Sequence, residues 1–167
     1  MSKETTDILI HLVVAMVAGG LIGLERSYYA RPAGFRTHTL VCMASSLLML
    51  VAIYQRDWFT EAMIETVRVD PTRMAQGIMT GIGFLGAGVI MKEGASIRGL
   101  TTAASIWITA AIGILAGVGF YSALVVVTVL TLSTLTLYRL VERQLPMLFY
   151  VQNFIRFDYG RAMTEEE

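Results

Sequence analysis

Residues 81–102 read GIGFLGAGVIMKEGASIRGLTT. Gly81, Gly83 and Gly86 spell G-x-G-x-x-G, the spacing that cradles a pyrophosphate in a dinucleotide-binding βαβ unit. That use needs a strand before the glycines and an acidic residue about 20 positions on. Here Asp70-Pro71-Thr72-Arg73-Met74 opens a helix instead, because Asp caps free N–H groups and Pro suits the first helical position. Position 101 is a threonine, and Glu93 comes too early to serve as the acid. The stretch therefore reads as the end of an apolar helix, a basic turn, and the start of another helix.

The surrounding chain supports a membrane setting. Of 167 residues, 55% are hydrophobic and 16% charged, against about 25% charged in a soluble domain. A bilayer-crossing helix needs roughly 20 mostly apolar residues. Five segments meet or approach this: 8–24, 39–54, 74–91, 100–118 and 120–140. They are apolar or small all round, without the polar outer face that helices of a soluble protein carry. The expected fold is all-α, a polytopic membrane protein whose five transmembrane helices occupy residues 1–145. Short links join them at 25–38, 55–73 and 92–99, with Gly119 between the last two. Within the second link, WFTEAMIETV (58–67) is a candidate interfacial helix.

Lysine and arginine in the links set the orientation. Of the 13 basic residues, Arg26, Arg31, Arg36, Lys92, Arg98, Arg139, Arg143, Arg156 and Arg161 fall on one side. Lys3, Arg56, Arg68 and Arg73 fall on the other. The richer side is expected to be cytoplasmic, which puts the N-terminus outside and the C-terminus inside. Residues 146–167 then form a cytoplasmic tail. Phe149 to Phe157 alternate like a strand, and Thr164 followed by Glu165 resembles a helix start. The tail is expected to begin a further α+β domain.

Several function classes lack support. Net charge is zero, so there is no global basis for nucleic-acid binding. The phosphate-loop pattern of ATP-driven pumps is absent. Cys42 is the single cysteine, so no intrachain disulfide can form. His11 and His38 stand apart and make no metal pair. No nucleophile–base arrangement appears, and no catalytic, cofactor or metal site is expected. Glu61, Glu65 and Asp70 have the chemistry for loose Mg²⁺ binding, but a solvated loop is the default reading.

Small residues and charges at helix ends remain. In lipid, small residues let helix backbones approach closely. The first helix carries Gly19, Gly20 and Gly23. The third carries Gly77, Gly81, Gly83, Gly86 and Gly88, and the fourth Gly113 and Gly117. Packing within one bundle is the first reading, and a dimer or partner interface is the second. A weak repeat links Gly20–Gly23 and Gly34–Thr37 to Gly83–Gly86 and Gly99–Thr102, an arrangement similar to parallel transporter repeats. Glu25 ends the first helix, paired with Arg26 or Arg36, or serving as a cation or proton site. Arg31, Arg36 and Arg98 lie with Thr37, Thr39, Thr101 and Thr102 at helix starts. That combination suits an anion site, or simple anchoring and capping. Asp70 and Arg73 are expected to pair one turn apart. Trp107 reads as a packing aromatic whose N–H needs a partner.

GGLIGLER (19–26), AGFRTHTLV (33–41), DPTRMAQGIMTGIGFLGAGVIMKEG (70–94) and IRGLTTAASIWITAAIGILAGVG (97–119) resemble the MgtC/SapB family of bacterial membrane proteins. The resemblance covers most of residues 15–120. It implies a multi-pass protein of the bacterial inner membrane with five spans, often followed by a cytoplasmic ACT-like domain. It also implies a role in adaptation to low magnesium and host survival, including restraint of the F-type ATP synthase, without transport of Mg²⁺ itself. Glu25, Arg26, Arg36, Thr37, Asp70, Arg73, Gly83, Gly86, Arg98, Gly99, Thr102 and Trp107 fall on family-motif positions. Enteric virulence members carry Asn where this chain has Thr101, and Cys where it has Ile108. Those departures weigh against the ATP-synthase role and leave the fold untouched. A non-enzymatic protein is expected, working by contact with membrane partners, with lipids and a second copy of the chain among them. The competing expectation is a small ion or solute transporter with a polar path near Glu25 and Arg98.

Overall fold

A computed structural model of the chain describes residues 3–57, 70–94 and 96–142. Each of the five apolar segments is helical: α1 (Lys3–Tyr28), α2 (Phe35–Ile53), α3 (Pro71–Gly88), α4 (Leu100–Gly117) and α5 (Tyr121–Glu142). A short 3-10 turn, Tyr54–Asp57, follows α2. The candidate interfacial helix at 58–67 and the tail at 146–167 lie outside the described residues.

Among the described residues, four helices are long and apolar enough to cross a membrane: α1, α2, α4 and, in α5, Tyr121–Arg139. The fifth expected span, α3, forms as a helix but is not among them. Its first turns hold Pro71, Thr72, Arg73 and Gln76, and five glycines dilute the rest. It also ends at Gly88, three residues before the expected end at 91. The basic link that follows is a hairpin rather than an open turn. Strand β1 (Met91–Glu93) pairs antiparallel with β2 (Ser96–Arg98), with Lys92 opposite Ile97. Gly94, at φ 60°, supplies the left-handed residue that the reversal requires.

The start of α3 follows the local rule closely. The Asp70 carboxylate accepts from the Thr72 amide at 2.9 Å and from the Thr72 hydroxyl at 2.7 Å, with Pro71 at the first helical position. These bonds, the hydroxyl first, hold the Asp70 carboxyl below its ordinary range, with Arg73 adding a smaller pull. The expected Asp70–Arg73 ion pair does not form: the carboxylate is already committed to Thr72, and Arg73 meets Asp70 through its backbone amide at 3.1 Å.

The centre of the bundle is α2, packed against α1 on one flank and α4 on the other. Glycines on the neighbours make both contacts possible. A Cβ on Gly19 would lie 2.6 Å from Cys42 Cβ and 2.7 Å from the His38 carbonyl. One on Gly23 would lie 2.6 Å from Phe35 Cα, and one on Gly117 would lie 2.6 Å from Met49 Cβ. Gly113 is equally closed off by Cys42 and Ser45. Backbone is touching backbone, the mode of association open to helices in lipid. Ala15, Ala18, Ile22, Cys42, Ile112, Ala116 and Leu124 fill the core between α1, α2, α4 and α5.

The glycines of α3 behave differently, which corrects the first reading of them. A Cβ on Gly77, Gly81, Gly83 or Gly88 would meet nothing within 4 Å, and one on Gly86 would make an ordinary contact with Ala103. α3 buries only Ile78 and Ile82, one turn apart on one face, against Val41, Met49, Ile106 and Ala110. Its glycines lie off that buried face: Gly77, Gly81 and Gly88 share a side with Phe84, which is 83% exposed, and Gly83 falls on a different side. The two copies of the suspected repeat are therefore unlike in packing. Gly20 and Gly23 both close on Phe35 of α2, whereas among the described residues the matching Gly83 meets nothing within 4 Å and Gly86 makes only an ordinary contact with Ala103.

Candidate functional site

The basic ends of α1, α4 and α5 and the hairpin meet at one end of the bundle. They surround a cavity of about 870 Å³ into which Arg26, Arg31, Arg98 and Arg139 project, with Thr101 and Thr102. Ile97, Leu135 and Tyr138 supply apolar wall.

Each side chain arrives by a local cause. Glu25 and Arg26 occupy the last turns of α1, where a cation suits the negative end of the helix dipole. Arg26 is 2% exposed. Its Nη2 donates to Thr102 Oγ1 at 3.2 Å, joining α1 to the first turn of α4. Arg139 occupies the last turns of α5, and its Nη2 donates to Glu25 Oε1 at 2.8 Å. Glu25 Oε2 lies 3.9 Å from Arg26 Nη1. The Arg139 guanidinium also sits 3.6 Å from the centroid of the Tyr29 ring, a stacked cation–π geometry.

Gly99 holds the start of α4. Its φ is 89°, and a Cβ there would run into the Val89 carbonyl. No side chain caps the helix start, so its first N–H groups remain available beside the arginines.

Behind this cluster lies a second polar set. His38 Nδ1 donates to the Gly34 carbonyl at 3.0 Å, and its Nε2 is 3.1 Å from Ser105 Oγ. Ser105 Oγ lies 2.8 Å from the Thr102 carbonyl. One hydroxyl proton is therefore shared between His38 and Thr102 as alternative acceptors. At the opposite end, His11 Nδ1 donates to the Ala116 carbonyl at 2.7 Å and lies 2.9 Å from Tyr121 Oη.

Of the residues singled out from the sequence, Arg26, Arg98, Gly99, Thr101 and Thr102 line the cavity, and Glu25 contacts two of its arginines. Arg36 is exposed and Thr37 half-buried at the same end, off the cavity. Asp70 and Arg73 belong to the far end of α3. Trp107 is 50% exposed, so among the described residues only half of this packing aromatic is covered. Ile108 packs against the core, and Thr101 lines the cavity, so the two departures from the virulence pattern fall in different environments.

Sequence reading paired Glu25 with Arg26 or Arg36 and missed Arg139. A lone arginine closing an apolar run is a flag for a functional position, but its partner lies 114 residues away in sequence. Tyr29, His38 and Ser105 carried no sequence signal beyond their type. The candidate Mg²⁺ residues Glu61 and Glu65 lie outside the described residues. Among the described residues, no three His, Cys, Asp or Glu side chains gather.

The bundle and its cationic end define a membrane protein that is mostly helical, with the short β1–β2 hairpin as the exception to the all-α expectation among the described residues. A family model described as the MgtC family matches residues 12–144, and the chain belongs to that family. YhiD from Escherichia coli strain K12 is 42% identical over 135 residues, covering 80% of this chain and 61% of YhiD. A Haemophilus influenzae protein is 43% identical over 133 residues, covering 79% and 56%. Protein MgtC of Brucella abortus is 43% identical over 129 residues, covering 77% and 50%. The chain thus spans roughly half to three fifths of the length of these relatives. No solved structure matches it.

Proposed function

We propose that this chain is a non-enzymatic protein of the bacterial inner membrane that serves adaptation to low magnesium by contacting other membrane proteins through α3. The observation that carries the reading is the open glycine face of α3. Gly77, Gly81 and Gly88 share one side of the helix with Phe84; among the described residues a Cβ on any of the three meets nothing within 4 Å, and Phe84 is 83% exposed. Within a membrane, a glycine-lined face offers close backbone approach to another helix. An apolar groove of about 460 Å³ between α2 and α3, lined by Leu40, Leu48, Gly77 and Gly81 among others, continues that face. A second copy of the chain and the F-type ATP synthase are the first partners to test. The N-terminus outside and the C-terminus inside follow the distribution of Lys and Arg.

The test is recovery of partners from native membranes at low and high Mg²⁺ with wild type and Gly81→Leu. Gly81 leads because it lies on that side and in the groove, and a Cβ there meets nothing within 4 Å among the described residues. The reading expects partner recovery to be lost in Gly81→Leu with normal membrane levels of the variant. Full recovery by the variant overturns it.

A transporter is the second reading. It is favoured by the cavity that Arg98 lines at the end of the bundle where Glu25 pairs with Arg139, and by the name of the Escherichia coli relative, a proposed magnesium transporter. The clustered guanidiniums weigh against a cation as cargo, since like charges repel. Substrate-dependent flux in liposomes containing only this chain, lost in Glu25→Gln, would establish that reading over the first.

A further inference from the structure

We propose that the arginine-lined cavity is a binding site for a phosphate group. Three independent features converge on it. The first is charge: Arg26, Arg31, Arg98 and Arg139 all line one cavity of about 870 Å³. Guanidinium forks match the oxygens of phosphate better than any other side chain. The second is the uncapped start of α4. Gly99 is part of the lining, no side chain caps the helix, and a helix N-terminus favours an anion. The third is unsatisfied chemistry. Arg26 is 2% exposed, and among the described residues its Nε has no partner, as is also true of Arg139 Nη1 and of Glu25 Oε2. Four guanidiniums against the single Glu25 carboxylate leave buried positive charge without full compensation, which is costly, and a phosphate in the cavity would offset that charge.

The one carboxylate in contact with Arg26 and Arg139 is Glu25. It holds those two side chains in place and is not part of the cavity lining. A lone carboxylate ligand would offer two acceptor oxygens to this set, whereas phosphate offers three or four and more charge. The cavity also exceeds the size of a bare phosphate, and Ile97, Leu135 and Tyr138 give it an apolar flank. That flank has room for whatever the phosphate is attached to. The group belongs either to a phospholipid head or to a free phosphate compound, and both present the same chemistry to the arginines.

The experiment uses the full chain purified in detergent and has two arms. In the lipid arm, native mass spectrometry follows anionic phospholipid retained through delipidation. In the free-phosphate arm, thermal unfolding is followed against inorganic phosphate at constant ionic strength set with NaCl. Retention of a phospholipid in the first arm, or stabilisation by phosphate beyond NaCl in the second, is the expected result and identifies the source. Arg31→Gln and Arg98→Gln should each weaken the positive arm roughly tenfold, the scale of one charged hydrogen bond. Arg36→Gln is the control, because Arg36 is exposed at the same end but off the cavity, and it should bind as wild type does. Each variant must first melt normally without phosphate; Arg31→Lys and Arg98→Lys replace any that does not. Failure of both arms in wild type overturns the proposal. Equal weakening by Arg36→Gln overturns it too, since binding would then reflect only a generally basic surface. The α3 contact reading is unaffected by either outcome.

Discussion

Two glycine-to-alanine changes, one in α1 and one in α3, should shift stability in opposite directions. At Gly19 the added methyl would sit 2.6 Å from Cys42 Cβ and 2.7 Å from the His38 carbonyl. Carbon atoms rest at about 3.5–4.0 Å, so α1 and α2 must part by about 1 Å. One obstacle is backbone, which cannot swing aside as a long side chain can. Overpacking of this kind costs about 1–3 kcal/mol. At Gly83 the methyl would meet nothing within 4 Å, leaving only the helix-propensity gain of about 0.5–1 kcal/mol. The propensity gain is common to both sites, so the two variants should differ by the overpacking cost, about 1–3 kcal/mol. That corresponds to roughly 2–12 °C in melting temperature for a chain of this size. Purified protein in detergent, scanned by fluorescence with size exclusion to confirm monodispersity, measures it. If Gly83→Ala is destabilised as much as Gly19→Ala, α3 packs Gly83 inside the bundle and the open helix surface assigned to α3 does not exist.

Arg139→Gln should remove the closest partner of Glu25, whose side chain is 8% exposed, and cost about 3 kcal/mol as broken buried pairs do. The double variant Glu25→Gln with Arg139→Gln should recover part of that loss; a strictly additive cycle would show that the pair is not coupled. Asp70 gives a pH signature. Its folded-state pKa is depressed by the Thr72 bonds, so its contribution is present above the ordinary carboxyl pKa and fades as pH falls through the lower folded value. Melting temperatures of wild type and Asp70→Asn, compared from pH 7 down through the acid range, should converge as the carboxyl protonates. Parallel curves would mean that the charge on Asp70 contributes nothing beyond what an uncharged Asn cap supplies.

Much of the architecture is legible in residue type and spacing. Apolar runs near membrane length produce helices wherever they occur, because backbone groups in lipid must bond within their own segment. The cap at Asp70-Pro71 is equally local and appears as the sequence predicts. Motif segments such as IRGLTTAASIW were sufficient to indicate the family. Segment ends were harder to read. Glycine-rich α3 stops at Gly88, and Gly94 turns the following residues into a hairpin, a competition that apolar counts do not register.

The site was legible only in its parts. Arg26, Arg98 and Thr102 stand out as charges and hydroxyls at helix ends, because charge near a membrane is costly enough to be conspicuous. Their grouping is not encoded in local spacing. Glu25 meets Arg139 across 114 residues, and Arg26 meets Thr102 across 76, through the order in which α1, α4 and α5 pack around α2. The glycines make the same point. In sequence, Gly19 and Gly83 are equivalent small residues within apolar helices. Only the packed bundle separates them: Gly19 closes on the α2 backbone while Gly83 faces outward. The sequence by itself determined a helical membrane protein, its family and its basic ends, since hydropathy, caps and motifs act within one segment. The tertiary structure alone decided which arginines share a cavity and which glycines are left open, since both depend on contacts between segments far apart in the chain.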